Sequence, residues 1–349
     1  MFKADPHSVL RKFLLGIYFI WSSAMMANAQ APQGEDSAVI LMYHRFGEDK
    51  YPTTNITVEQ FEAQLAELKK EKYNIVPLDV IIAALKNKTA LPPRTIAITI
   101  DDAYVSILNK AWPRLKQAGF PFTLFISTEP VSQKIPGYMT WDQIRKMARD
   151  PLVTIGHHGH THNHLIHMPP SQATKDIEIA SAIYQKELGA VPDIFAYPFG
   201  EFSPTLEKIL KDQNIKAAFG QYSSAASSNS NLFGLPRFSF NEKYSKMSRF
   251  NLIVNARALP AYDILPVSPV ISANPPHIGF TVKKSVRGLS AMSCYPSHLG
   301  AAAKIIRIGS NRIEVRFDKP LPVGRSRLNC TMPGPNKRWY WFGLPFFVN

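Results

Sequence analysis

Cysteine is nearly absent from this 349-residue chain; the two present, Cys294 and Cys330, both lie near the C-terminal end. So few thiols exclude a disulfide-stapled mini-protein and a metal cage built on four cysteines. Acidic residues are scarce at the same end. Residues 275–349 carry twelve Lys or Arg against only Glu314 and Asp318, so most of the +14 formal net charge sits there. Long apolar runs are missing beyond the first thirty residues, and a membrane-spanning helix needs about 20 apolar residues. Nucleic-acid recognition motifs are missing too, and no nucleic-acid partner is expected. The basic end favours instead an anionic polymer or an envelope surface.

What is present begins with a targeting pattern. Lys3, Arg11 and Lys12 precede an apolar stretch from Phe13 to about Met26, followed by the small residues of "ANAQA". This predicts a signal peptide over residues 1–29, cut near Ala29, and an exported protein, periplasmic or secreted. In such an oxidising compartment Cys294 and Cys330 are expected to form a disulfide, worth about 3 kcal/mol through loop closure.

From Ala38 to about Leu259 short apolar runs alternate with segments of helical period. "AVILMYH", "TIAITIDD", "PFTLFIS", "LVTIGHH" and "DIFAYPFG" read as strands. "TVEQFEAQLAELKKEKY" repeats Phe61, Leu65 and Leu68 at helical spacing behind a Thr57–Gln60 capping box. Alternation of this kind implies parallel strands joined by right-handed helical crossovers, and six or more units favour a closed barrel. The expected organisation is an α/β barrel over 30–263, a Pro-rich linker over 264–276, and a small basic all-β module over 277–349.

Active groups in parallel folds gather where strands end. Here the strands end in His44, in Asp101-Asp102, in a histidine cluster, and in "PFG". Adjacent carboxylates at a buried strand end are costly without a cation, and a divalent metal supplies one. Six of the ten histidines lie in "IGHHGHTHNHLIH", Ile155–His167. Histidines four apart on one helical turn share a face. His158 with His162, or His160 with His164, can therefore complete a His₂-carboxylate site. Spacing leaves the two pairs nearly equal, although His158 starts closer to the strand end.

The stretch from Val39 to about Leu259 resembles the polysaccharide deacetylases, the family-four carbohydrate esterases. "TIDDAY" is similar to that family's Thr-Phe-Asp-Asp-Gly motif, "IGHHGHTHNHL" to its His-[Ser/Thr]-x-x-His motif, and "FAYPFG" to its Phe-Arg-x-Pro-Tyr-Gly motif. The resemblance implies a deformed (β/α) barrel. It implies one divalent ion, most often Zn²⁺ with Co²⁺ or Ni²⁺ as alternatives, held by Asp102, His158 and His162. It further implies hydrolysis of N-acetyl groups on an amino-sugar polysaccharide, with Asp101 as the base that deprotonates a metal-bound water. Phe199 and Gly200 then shape the oxyanion site, Tyr104 follows the first motif, and Trp141, in "MTWDQI", lines the sugar cleft or packs in the core.

Departures from the pattern matter as much. Ala196 stands where many members have an Arg that pairs with the catalytic Asp, and Arg237, in "LPRFSF", is the candidate to supply that charge. The family's late Leu-x-His motif is absent, since only His277 and His298 follow His167. In a barrel the first strand closes beside the last, so His44 is the candidate general acid. A non-catalytic glycan-binding protein, and a metal-dependent esterase or amidase acting on another acyl group, remain alternatives at this level.

Overall fold

The computed structural model describes residues 34–348; the expected signal peptide lies outside the described residues. Seven parallel strands make the first sheet: β1 (Ala38–Tyr43), β2 (Thr95–Asp101), β3 (Phe122–Ile126), β4 (Val153–His157), β5 (Ile194–Ala196), β6 (Ala217–Phe219) and β7 (Phe238–Ser239). An eighth short strand, Asn74–Ile75, pairs with the start of β2. The order across the sheet is β7-β1-β2-β3-β4-β5-β6. Beyond β6 the chain closes the curl. Leu235 exchanges two backbone hydrogen bonds of 2.9 Å with Ala218 and Gly220, and Phe238 then pairs with Leu41 of β1. Residues 235–239 thus join the two edges of the sheet, giving a deformed (β/α) barrel.

β1 is buried along its whole length, as an apolar run covered on both faces must be. Its side chains alternate between two cores. Ala38 and Ile40 join Ala97, Phe125, Ala196 and Phe219, while Val39, Leu41 and Tyr43 pack among the helices. Helix α1 (Val58–Leu68) begins at the full Thr57–Gln60 capping box, and α2 (Trp141–Ala148) at a second one formed by Thr140 and Gln143.

Eight further strands follow: β8 (Arg257–Ala258), β9 (Ala261–Leu265), β10 (Ile278–Val282), β11 (Ser293–Pro296), β12 (Lys304–Ile308), β13 (Arg312–Arg316), β14 (Gly324–Pro333) and β15 (Trp339–Val348). They form two sheets, β8-β15-β14-β11 and β9-β10-β13-β12. Phe280, Ile313 and Val315 face Cys294, Leu328, Cys330 and Phe346 between them. Cys294 and Cys330 stand directly opposite on β11 and β14 and are bonded, 36 residues apart.

The expected linker differs from what is observed. Its first residues belong to β9, which pairs antiparallel with β10. Phe347 of β15 donates to the Pro269 carbonyl at 2.7 Å and accepts from Ile271 at 2.9 Å. Proline content reads as linker because proline cannot donate to a ladder, yet carbonyls and the non-proline amides still pair. The β module therefore begins near Arg257 and lies in one compact unit with the barrel.

β15 serves both cores. Trp341 meets Phe238 edge-on at 5.1 Å, on the barrel side, whereas Phe342 packs 4.6 Å from Phe280 inside the module. Arg338 Nη1 donates to both Glu35 oxygens at 2.6 and 2.7 Å, while its Nε and Nη2 donate to the carbonyls of Asn255 and Ala256. One of the module's positive charges is thus held by internal partners. Among the described residues no helix is long and apolar enough to cross a membrane.

Candidate active site

Asp101 ends β2 wholly buried, and its charge is met from the barrel seam. Arg237, also fully buried, donates to both of its oxygens at 2.7 and 2.8 Å. The same guanidinium donates to Gly220 O and Thr99 Oγ1, which fixes its plane. Burial raises the Asp101 carboxyl; Arg237, with His158 and His44, more than offsets this and holds it below its ordinary value. His44 follows β1 with Nε2 at 3.9 Å from Asp101 Oδ2. Burial pushes the His44 imidazole down against the pull of Asp101.

Asp102 turns away from its neighbour because its backbone is left-handed, φ 78°, followed by Ala103 at φ 54°. Its Oδ1 stands 3.4 Å from His158 Nε2 and 3.2 Å from His162 Nε2. Burial raises this carboxyl as well, but the His158 and His162 imidazoles beside it keep it well below the usual range. These gaps exceed the 2.7–2.9 Å of a charge-assisted hydrogen bond. They approach the ~3.3–3.6 Å edge of a tetrahedron of donors around a zinc-sized ion. His158 Nδ1 donates to the Ala196 carbonyl at 2.6 Å, which leaves Nε2 as the free lone pair. The donor set therefore fits a divalent cation.

The expected helical turn is not what joins the two histidines. Residues 158–164 form a loop, with Gly159 at φ 76° and His162 at φ 57°. The loop is held by Asp176, in α3 (Pro170–Leu188), which accepts from the amides of His160 and Thr161 at 2.7 and 3.0 Å and from the Thr161 hydroxyl at 2.7 Å. The alternative pair is split: His160 Nδ1 meets Thr128 Oγ1, and His164 Nδ1 meets Glu201 Oε2.

His157 is buried too, but faces the other way. Its Nδ1 accepts from the Gly159 amide, so the proton sits on Nε2, toward Ser181. Desolvation holds it neutral, pushed down from 6.5 to about 3. Between those values the unfolded chain binds a proton that the folded chain refuses. Stability should therefore fall as pH drops below 6.5, by up to about 1.4 kcal/mol per unit. Urea unfolding of metal-free protein from pH 7.5 to 4.5 should show a shallower decline for His157→Gln; equal slopes would refute this.

At the end of β5, Phe199 has φ 58° and Gly200 φ 71°. A Cβ on Gly200 would lie 2.2 Å from the Gln221 amide nitrogen, so only glycine fits. The Phe199 ring lies 4.8 Å from the His162 ring, and its carbonyl accepts from Arg325 of β14 at 2.6 Å. Tyr104 is buried by Asp102, beneath the Arg45 guanidinium at 3.3 Å. Trp141 packs edge-on against Tyr184 and donates to Ser132.

With this geometry in view, the comparisons with known proteins are specific. Residues 88–218 match the polysaccharide deacetylase family. A poly-β-1,6-N-acetyl-D-glucosamine N-deacetylase of Staphylococcus aureus is 26% identical over 230 residues, 58% of this chain and 78% of that protein. Among solved structures, the Streptococcus pyogenes deacetylase PplD in complex with acetate superposes with a TM-score of 0.57 at 22% identity, over 62% of this chain and 98% of its own. IcaB from Ammonifex degensii does so with a TM-score of 0.55 at 24% identity, over 63% and 98%. The structural likenesses show the fold: the polysaccharide deacetylase barrel. The β module lies outside the matched residues 88–218.

Arg45, Asp176, Arg325 and Glu201 escaped the sequence reading. Asp176 left a trace, a carboxylate beside the buried positions Ala173, Ile177 and Ala180 of α3.

Proposed function

We propose that the protein is an exported, metal-dependent hydrolase that removes N-acetyl groups from an amino-sugar polysaccharide. The observation that carries this reading is a division of labour between adjacent carboxylates. Asp102 faces the Nε2 atoms of His158 and His162, while Asp101 stays outside that set, buried and ionised on Arg237. A glycan-binding protein has no use for the second carboxylate.

Asp102, His158 and His162 would hold the ion, Zn²⁺ or one of similar ligand preference. When bound, it supplies Lewis acidity to a water and to the amide carbonyl. Asp101 keeps lone pairs beyond those that Arg237 occupies, and takes the proton from the attacking water. The Phe199 amide meets the charge that develops on the carbonyl oxygen. His44, next to Asp101, protonates the departing amine. Since burial depresses its pKa below the ordinary 6.5, the protonated form is lost on the acid side of neutrality, and this step should weaken as pH rises through that acidic range.

The test is acetate release by the zinc-loaded chain. Poly-β-1,6-N-acetyl-D-glucosamine oligomers come first, because the Staphylococcus aureus relative is named for that polymer, with chitin and peptidoglycan fragments beside them. We expect release that is lost in Asp102→Ala, and lowered about 10²–10⁴-fold in His44→Ala, as for removal of a general acid. Bound zinc without acetate from any amino-sugar polymer would overturn the reading. Full turnover in His44→Ala would remove His44 from it.

A further inference from the structure

We propose that His164, His167 and Glu201 form a second divalent-ion site, of the zinc class, distinct from the one at Asp102. Their donor atoms all lie within 4.8 Å of one another, and no residue is shared with the first set. The local fold explains the convergence. Leu165–His167 is a single 3-10 turn capped by His164. Such a helix has 3.0 residues per turn, so residues three apart eclipse. His164 and His167 therefore project from the same side, with ring centroids 5.7 Å apart. Glu201 arrives from the turn after β5.

Glu201 is the unusual member. Its side chain is only 6% exposed, whereas that of His164 is 48% exposed. A carboxylate so buried needs a cationic or hydrogen-bonding partner. Oε2 meets His164 Nδ1 at 2.7 Å, and Oε1 has Arg325 Nε at 3.7 Å. An ion would take the place of the direct contact between His164 and Glu201. The two donors need only part to the ~3.3 Å typical of a tetrahedral pair, a side-chain adjustment. Two imidazoles and one carboxylate suit zinc, copper or nickel rather than calcium or magnesium. Arg325 sets the ranking, because a guanidinium beside one ligand disfavours a further positive charge, so this site is the weaker one.

The location gives the ion a consequence. The His164 ring stacks on the Phe199 ring at 3.8 Å and 9°, while His162 of the first set approaches that ring at 4.8 Å. Phe199 thus touches one histidine of each set. An ion on His164, His167 and Glu201 would cross-link the loop after β4 to the turn after β5.

The experiment is a zinc titration by calorimetry, with elemental analysis, on the untagged, metal-stripped full chain. Wild type, His164→Ala, Glu201→Gln and His158→Ala are compared. We expect two ions in wild type. His164→Ala and Glu201→Gln should lose only the weaker ion, and their intact tight site also shows that they fold. His158→Ala should lose the tight ion and keep the weak one. A single ion in wild type that His164→Ala leaves unchanged would overturn the proposal, as would a second ion that survives both His164→Ala and Glu201→Gln. The outcome is independent of catalysis. One ion with acetate release would remove the second site alone, and two ions without acetate release would count against the deacetylase reading alone.

Discussion

Asp101→Asn should lower acetate release by about 10²–10⁴-fold, the range for loss of a positioned general base. The amide keeps the shape of the carboxylate but cannot take up a proton. The variant should still bind zinc at the tight site, because Asp102, His158 and His162 are untouched. Parallel measurement of acetate release and zinc stoichiometry checks this. If zinc is retained and turnover stays within a few-fold of wild type, Asp101 is not the base. If zinc is lost from a variant that remains folded by circular dichroism, Asp101 belongs to the ligand set and its assigned role is wrong.

The second large effect concerns stability. Arg237 and Asp101 form an ion pair with both side chains fully buried. Removing one member of such a pair strands the other charge in a medium that cannot solvate it, at a cost of about 3–5 kcal/mol. Arg237→Met should therefore shift the urea midpoint strongly and also lose activity. Removing both charges together, in Asp101→Leu with Arg237→Met, should recover most of the lost stability, since apolar replacement of a whole buried pair is near neutral or better. Activity should not recover. Additive destabilisation in the double variant would mean that the two charges act separately, contrary to their bidentate geometry.

Much of this site was legible because parallel folds place chemistry at strand ends, and His44, Asp101, Asp102 and the histidine tract all sit there. Composition alone could not choose between His158/His162 and His160/His164. Their spacing is identical, and the choice is made by backbone geometry. Positive φ at Gly159 and His162 bends the loop so that one pair meets Asp102. Glycine can signal such a bend, whereas a histidine in that conformation gives no warning. Arg237 was nameable as a charge in search of a carboxylate, but its partner depends on how the seam 235–239 closes. Arg325 was invisible for a stronger reason. It lies 126 residues from the Phe199 carbonyl it binds, on a module that reads as separate. The supposed linker misled in the same way, since proline-rich composition describes the chain locally and says nothing about what it docks against.

The bond between Arg338 and Glu35 spans 303 residues. On a ribosome adding roughly 5–20 residues per second, Glu35 waits about 15–60 s before its partner exists. Phe238 waits about 5–20 s for Trp341, and Arg257–Ala258 about 4–17 s for the strand that will pair with it. A barrel whose flank is completed by β15 cannot reach its final form before that strand is made. Slow closure of this kind prolongs the period in which the chain can still be threaded.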